Sequence, residues 1–409
     1  MGETPNMVEM KAEARDKTVT QLRRNFLVRG PSVTEAAPDD GFQGAVSPDP
    51  MDRVAAAREA MRRIVRDRFG GDAAMMKAVD GVAITGEQAI AVLEDESATD
   101  FQSDDQGDAL ETIIAFDGSR PSFLVRDGTI DFASSYNTEN WAARLKPHAE
   151  RISAVIDCVG RVEIDEDLVG TAFLATPTLA ITNRHVADIL ARFENGKIRT
   201  RPNAFVDFGR EAKDNASRDR REIKGVIFAG SQPIIGPIEH SKFDLAVLYL
   251  SESKLVGNEA RRCLDLGGVS PDDFAFAGAI ATIGYPTDPS GAVPTQLRTE
   301  YADVLVKLLE GDGGAKRFAP GLPASGDGLA AWTASHDATT LKGNSGAPLL
   351  VIGKHPSTPT TAAGLHYGGR WNGPRTNWAH LLALTSGAVG YCGKSFGEFC
   401  SQEGIRLVL

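Results

Sequence analysis

Hydrophobic and polar positions change their period partway along this chain. Between Pro50 and Phe69 the apolar residues Val54, Ala57, Met61, Ile64, Val65 and Phe69 recur at the spacing of one helix face. Asp49 stands where an N-cap is wanted, Pro50 suits a first turn, and Gly70-Gly71 end the run. Arg58, Arg62, Arg63 and Arg66 fall on the opposite side, a face for water or for an acidic partner. A short helix is expected over Glu87–Glu94, and the acidic, apolar-poor stretch 94–108 reads as a mobile linker. Ser122–Val125 and Thr129–Phe132 flank Arg126-Asp127-Gly128 and predict a hairpin. From Thr138 another helix places Trp141, Leu145, His148, Ile152 and Val155 on one face, with Pro147 set to kink or split it.

After Cys158 the helical period disappears. Short apolar runs occupy Gly170–Thr176, Leu179–Thr182, Ile223–Ala229, Leu245–Leu250, Ile280–Gly284, Ala347–Ile352 and Ala362–Tyr367, with Gly, Pro and Asp between them. Many short strands separated by turn signals predict an all-β sandwich or barrel. There is no internal repeat of fixed period. Ahead of all this, a charged stretch over Met7–Leu27 and a Gly/Pro-rich stretch before Pro50 predict a poorly ordered segment and linker. The expected organisation is therefore that segment at 1–50, a small helical or mixed region with a regulatory or partner-binding role at 51–137, and a β-rich domain at 138–409.

Composition narrows the function classes. The 409 residues are 42% hydrophobic and 24% charged, enough for a core without disulfide or metal staples. A formal net charge of -11 gives no general pull toward nucleic acid or anionic lipid, so neither is expected as a partner. The N-terminus lacks the apolar core of a signal peptide, and no apolar run reaches the roughly eighteen residues of a membrane span. Cys158, Cys263, Cys392 and Cys400 are expected as free thiols, which fits a cytoplasmic chain. His148, His240, His336, His355 and His380 lie in separate segments without ligand-like spacing, and no dinucleotide or phosphate-binding loop occurs. Neither a metal nor a cofactor is expected.

Three segments of the β-rich half carry chemistry. TNRHV brings His185 to the end of an apolar run; in DLAVL, Asp244 leads into the next; in GNSGAPL, Ser345 precedes a third. A serine hydroxyl is a weak nucleophile near neutrality and needs a base within hydrogen-bond reach. Histidine serves, since it takes up and returns a proton near pH 7, and a carboxylate behind it fixes the tautomer. Gly343 and Gly346 permit a tight turn that exposes the hydroxyl. The same turn aims the N–H groups of Gly343 and Ser345 at one point, an oxyanion hole. Ser345 does not sit in a GxSxG elbow, which would suggest an esterase, because Ala347 stands where the second glycine is wanted.

In order and wording these segments resemble the signature segments of chymotrypsin-like serine peptidases, closest to the bacterial glutamyl-endopeptidase and Deg-type branches. The resemblance spans roughly residues 150–385. It implies a mainly β fold, a double Greek-key β-barrel following the N-terminal helical or mixed region, and catalysis by His185, Asp244 and Ser345 in the cleft. It implies an endopeptidase acting on protein or peptide substrates through an acyl-enzyme. Asn344 replaces the aspartate of the digestive enzymes, so a zymogen switch through that residue is not expected. In GLHYGGRWNGPRTNWAH, residues 364–380, the resemblance implies a specificity pocket: Tyr367 and Gly369 offer backbone groups to an extended substrate, while His366 and Thr340 donate to an acidic side chain. Arg370 and Arg375 are candidates for steering such substrates, and the Gly/Pro-rich stretch 286–328 for gating the cleft. The competing expectation is a catalytically latent, peptidase-fold binding module whose N-terminal region mediates assembly with a protein partner.

Overall fold

The computed structural model describes residues 49–95, 97–98, 101–135, 138–194, 197–211, 218–234, 239–257, 260–286, 304, 308, 314–324, 330–340, 343–352, 361–369 and 376–409. The expectations for Met7–Leu27, His355, Arg370, Arg375 and most of 286–328 lie outside the described residues.

Helix α1 (Pro50–Phe69) forms as its period predicts: the Asp49 carboxylate accepts the Met51 N–H at 2.8 Å, and Gly70 closes it in the left-handed region at φ 61°. Helix α2 (Ala73–Glu94) is far longer than the short helix expected over 87–94. Helix α3 (Asp104–Phe116) replaces part of the expected linker. Its acidic start lies in a first turn, where the helix dipole favours negative charge. Its Ala109, Leu110, Ile113 and Phe116 are buried against Val54, Met61, Val82 and Ile90 of α1 and α2. On the arginine face of α1, Arg58 and Arg62 reach Asp80 of α2 at 2.9 and 3.1 Å. Pro147 splits the following helix into Glu139–Leu145 and Ala149–Cys158, as expected.

The hairpin of β1 (Phe123–Arg126) and β2 (Thr129–Asp131) turns through Asp127 and Gly128, both at positive φ. Next come β3 (Val159–Ile164), β4 (Asp167–Thr176) and β5 (Leu179–Thr182), then a small pair, β6 (Ala191–Glu194) and β7 (Lys197–Thr200). Strands β3, β4 and β5 make a closed barrel with β8 (Ala204–Asp207), β9 (Arg220–Ala229) and β10 (Ala246–Leu250), of order β10-β5-β4-β3-β8-β9. Strand β11 (Asp265–Gly267) sits between β17 (Thr361–Ala362) and β20 (Leu407–Val408) in a small parallel sheet.

The second large sheet runs β14 (Pro323–Ala324), β15 (Thr333–His336), β19 (Asn377–Leu381), β18 (Gly364–Gly369), β16 (Pro348–Val351), β12 (Ile280–Gly284) and β13 (Arg317–Gly321). Only Leu322 separates β13 from β14, so one bent strand supplies both ends and the sheet curls back on itself. Asp337 fastens that seam: its carboxylate accepts the Leu322 N–H at 2.7 Å, and its own N–H donates to the Leu322 carbonyl at 3.2 Å. The β1–β2 hairpin, which the sequence placed with the region before 138, extends this sheet, with Phe123 opposite Phe318. The fold is thus mainly β, two barrel-like sheets with an N-terminal helical region, and one apolar core joins the first barrel to Ile283, Phe318 and Leu365 of the second sheet.

Candidate active site

Strand β5 ends at Thr182, and Asn183 begins a single short helix, Arg184–Leu190, that presents His185. Asn183 is fully buried, and its side-chain N–H donates to the Asp244 carbonyl at 2.8 Å. This fixes the start of β10 beside the helix. The Asp244 carboxylate then meets His185 twice. Oδ1 accepts the His185 backbone N–H at 2.9 Å, and Oδ2 lies 2.7 Å from Nδ1. Burial alone would raise the Asp244 carboxyl, but the imidazole's charge and hydrogen bonds hold it below the usual range. Burial likewise pulls His185 down, yet the Asp244 charge and hydrogen bond outweigh it and leave the imidazole above its ordinary value.

Ser345 is brought to the same place by the first barrel itself. Its carbonyl accepts the Thr171 N–H of β4 at 2.8 Å, and the Thr171 hydroxyl donates to the Gly343 carbonyl at 2.7 Å. Gly170 lies between the two halves: a Cβ there would meet Val186, next to His185, at 2.8 Å and the Ser345 carbonyl oxygen at 3.3 Å. Gly343 and Gly346 both take φ 89°, the left-handed region that glycine alone enters without strain. Asn344 and Gly346 are buried while Ser345 is partly exposed, so the turn offers one side chain to the cleft. No described residue accepts a hydrogen bond from the N–H of Gly343 or of Ser345.

The expected pocket residues also converge, through partners the sequence did not suggest. The Thr340 hydroxyl donates to Asn377 Oδ1 at 2.6 Å, and Asn377 Nδ2 donates to the Ala338 carbonyl at 2.8 Å. Asn377 pairs across the sheet with His336 and with Gly369. His336 Nε2 in turn lies 3.3 Å from His366 Nδ1. Burial pulls His336 down to about 3 and His366 well below its ordinary value, so both are neutral at pH 7. The Tyr367 side chain points the other way: its ring stacks on His380 at 4.3 Å and its hydroxyl lies 2.6 Å from His240 Nδ1.

His380, of which the sequence says only that it lacks ligand-like spacing, is fully buried and accepts the Asp244 N–H on Nε2 at 3.0 Å. Burial holds it neutral, at about 4. It therefore holds the Asp244 backbone from the second sheet. Its place in β19 has no local signature; only the Asp244 contact reveals it. Among the described residues no cluster of His, Cys, Asp and Glu is placed to hold a metal ion, and no helix is long and apolar enough to cross a membrane.

No family model matches the chain. A probable serine protease of Lysobacter enzymogenes is 30% identical over 322 residues, covering 73% of this chain and 79% of that protein. Among solved structures, neuropsin, a serine protease expressed in the limbic system of mouse brain, aligns at 13% identity with a TM-score of 0.39, over 61% of this chain and 96% of its own. An inactivated protease paralogue of the scabies mite aligns at 10% identity with a TM-score of 0.38, over 55% and 87%.

Proposed function

This chain belongs to the serine proteases, and on that premise we propose that it is an endopeptidase in which Ser345 is the nucleophile, His185 the general base and Asp244 the carboxylate that orients the imidazole. The observation that carries the reading is the paired contact of one Asp244 carboxylate with the His185 backbone and Nδ1, beside a serine turn pinned to β4. With Nδ1 donating to Asp244, the lone pair of Nε2 is the one left to take the Ser345 proton. The alkoxide attacks the scissile carbonyl, and the negative charge that develops on its oxygen meets the N–H groups of Gly343 and Ser345. Collapse returns the proton from His185 to the leaving amine. Water, deprotonated by the same base, then attacks the acyl-enzyme, and His185 returns the proton to the Ser345 oxygen as the acid product leaves.

For the acyl-side residue we propose a preference for Glu or Asp. His336 Nε2 and His366 Nδ1 lie 3.3 Å apart, a distance at which one neutral imidazole can donate to the other. When His336 is the donor, His366 holds its proton on Nε2, a donor for a substrate carboxylate. The Thr340 proton is already committed to Asn377, so the imidazole is the stronger determinant. Tyr367 to Gly369 offers strand β18 as the backbone template for an extended peptide. The test is a cleavage profile of a denatured proteome, with Ser345→Ala as the control. Cuts that depend on Ser345 and fall after Glu or Asp support both statements; cuts after other residues leave the peptidase and remove the preference. If a fluorophosphonate fails to label Ser345 and no cuts appear, the peptidase reading is wrong.

A further inference from the structure

The helical region reaches the wall of the pocket through an ordered relay. Arg53 of α1 donates from Nε to Asp117 Oδ2 at 2.9 Å, and both side chains are buried. Asp117 Oδ1 accepts the Ser119 N–H at 2.7 Å, forming the turn that ends α3 and sets the direction of Arg120. Trp141 fixes the same turn from the other side, its indole N–H donating to the Ser119 carbonyl at 3.0 Å. Arg120 then reaches across to the second sheet. Its guanidinium meets Asp337 Oδ2 at 2.5 Å, and its carbonyl accepts the Thr339 hydroxyl at 2.6 Å. Asp337 and Thr339 belong to the segment that leads through Thr340 toward the nucleophile. Both members of the ion pair are mostly shielded from water, at 15% and 13% exposure, so the pair is only weakly screened.

A second grip lies on the other side. Val304 and Leu308, from the stretch between β12 and β13, are buried in the core of α1, α2 and α3. The helices therefore hold the chain just before β13 as well as the chain just before the nucleophile. Asn344, beside the nucleophile, carries no charge with which to anchor that segment. The charge sits at Asp337, and Arg120 takes it.

We infer that Arg120 is a positioning residue of the substrate pocket: through Asp337 and Thr339 it couples the seating of α1–α3 to the placement of Thr340, so that peptide binding depends on the helical region being docked. This rests on the peptidase reading above. It assigns the N-terminal helices a role in binding competence rather than in the bond-breaking step.

The experiment uses the full chain with Arg120→Ala, Arg120→Lys, Asp337→Asn and the double variant Arg120→Ala/Asp337→Asn. Two readouts are compared: kcat and KM on a peptide substrate, and the rate at which a small fluorophosphonate, which bypasses the pocket, labels Ser345. Arg120→Ala is expected to raise KM about tenfold while labelling stays within about twofold of wild type. Asp337→Asn should match it, the double variant should be no worse than either single one, and Arg120→Lys should recover part of the loss. An unchanged KM in folded Arg120→Ala overturns the inference. So does a parallel fall of labelling, hydrolysis and melting temperature, which marks a structural role only. Should Arg120→Ala not fold, Asp337→Asn and Arg120→Lys decide in the same way. A wild-type chain that neither labels nor cleaves refutes the peptidase reading, and the inference with it; a labelled wild type with an indifferent Arg120 refutes the inference alone.

Discussion

Gly346 is packed against Thr171 so closely that a Cβ on it would lie 2.0 Å from the Thr171 carbonyl oxygen and 2.5 Å from the Thr182 hydroxyl. The Thr182 hydroxyl donates to that same carbonyl at 2.7 Å, so the obstacle is itself held in place. The Ser345 turn is thus keyed into β4 and into β5, the strand that leads to His185.

Gly346→Ala should therefore inactivate the protein, because both the left-handed φ and the contact with Thr171 forbid a methyl group. Thr171→Val is the gentler probe, as it keeps the shape and removes the hydroxyl that Gly343 and Tyr285 share. It is expected to lower kcat on the order of tenfold with little change in KM, since it loosens the oxyanion donors and leaves the pocket. Steady-state kinetics on folded Thr171→Val check this, and a loss confined to KM would contradict it.

The acid limb of the pH–rate profile follows from His185. The imidazole must be neutral to accept the serine proton, and Asp244 holds it above its ordinary value near 6.5. Activity should rise with pH through a midpoint above 6.5. Asp244→Asn should cost on the order of 10⁴-fold in kcat, the size such carboxylates show elsewhere, and shift the limb downward. A limb that stays put in Asp244→Asn would mean that another group titrates.

Acid lability follows from the buried imidazoles. The unfolded chain gains protons on histidine near pH 6.5, whereas the folded chain refuses them until about 4 at His380 and about 3 at His336. In that window the unfolded state binds more protons, so stability is lost as pH falls from about 6.5. At pH 5 each of these two histidines costs up to about 2 kcal/mol. Melting temperatures between pH 7.5 and 5 measure it directly. His336→Gln should flatten the slope, and a wild-type melting temperature indifferent to this change would count against the buried neutral state.

The two proposed donors of the pocket should separate on substitution. His366→Ala should abolish discrimination between acidic and neutral acyl-side residues, while Thr340→Val, whose lost proton served Asn377, should leave most of it. Ratios of kcat/KM for matched Glu and Gln substrates provide the comparison. Equal losses in both variants would mean that Thr340 donates to the substrate after all.

Much of the first barrel is readable because β5, β10 and most of β4 are apolar runs and β9 ends in one, and β12 and β16 share that trait. Strands β13 and β19 were not recognised: RFAPG and NWAHL bury an arginine, an asparagine and a histidine that find partners only in the tertiary fold. Gly81, Thr85 and Gly86 give the middle of α2 a weak local propensity. Packing reverses that weakness, since a Cβ on Gly86 would collide with Ile113, so the glycine is what lets α3 approach. The acidic start of α3 misled in the same manner: composition reported a linker, and the apolar face beyond it decided otherwise. His185, Asp244 and Ser345 stand out in the sequence because the triad proposed for them demands particular residue types beside glycines. The Arg120–Asp337 pair, 217 residues apart, has no such local demand.

The β1–β2 hairpin has a consequence for synthesis. Arg317 donates to the Ser122 carbonyl at 2.9 Å, and the two residues lie 195 positions apart. On the ribosome the helices and hairpin emerge early, and the first barrel can close once β10 has appeared. The hairpin must then wait, unpaired, for β13. Ser345 emerges later still, and β18 and β19 after it. On the roles proposed above, a growing chain therefore carries His185 and Asp244 well before the serine they would activate, and the cleft closes only after β18 and β19 have followed.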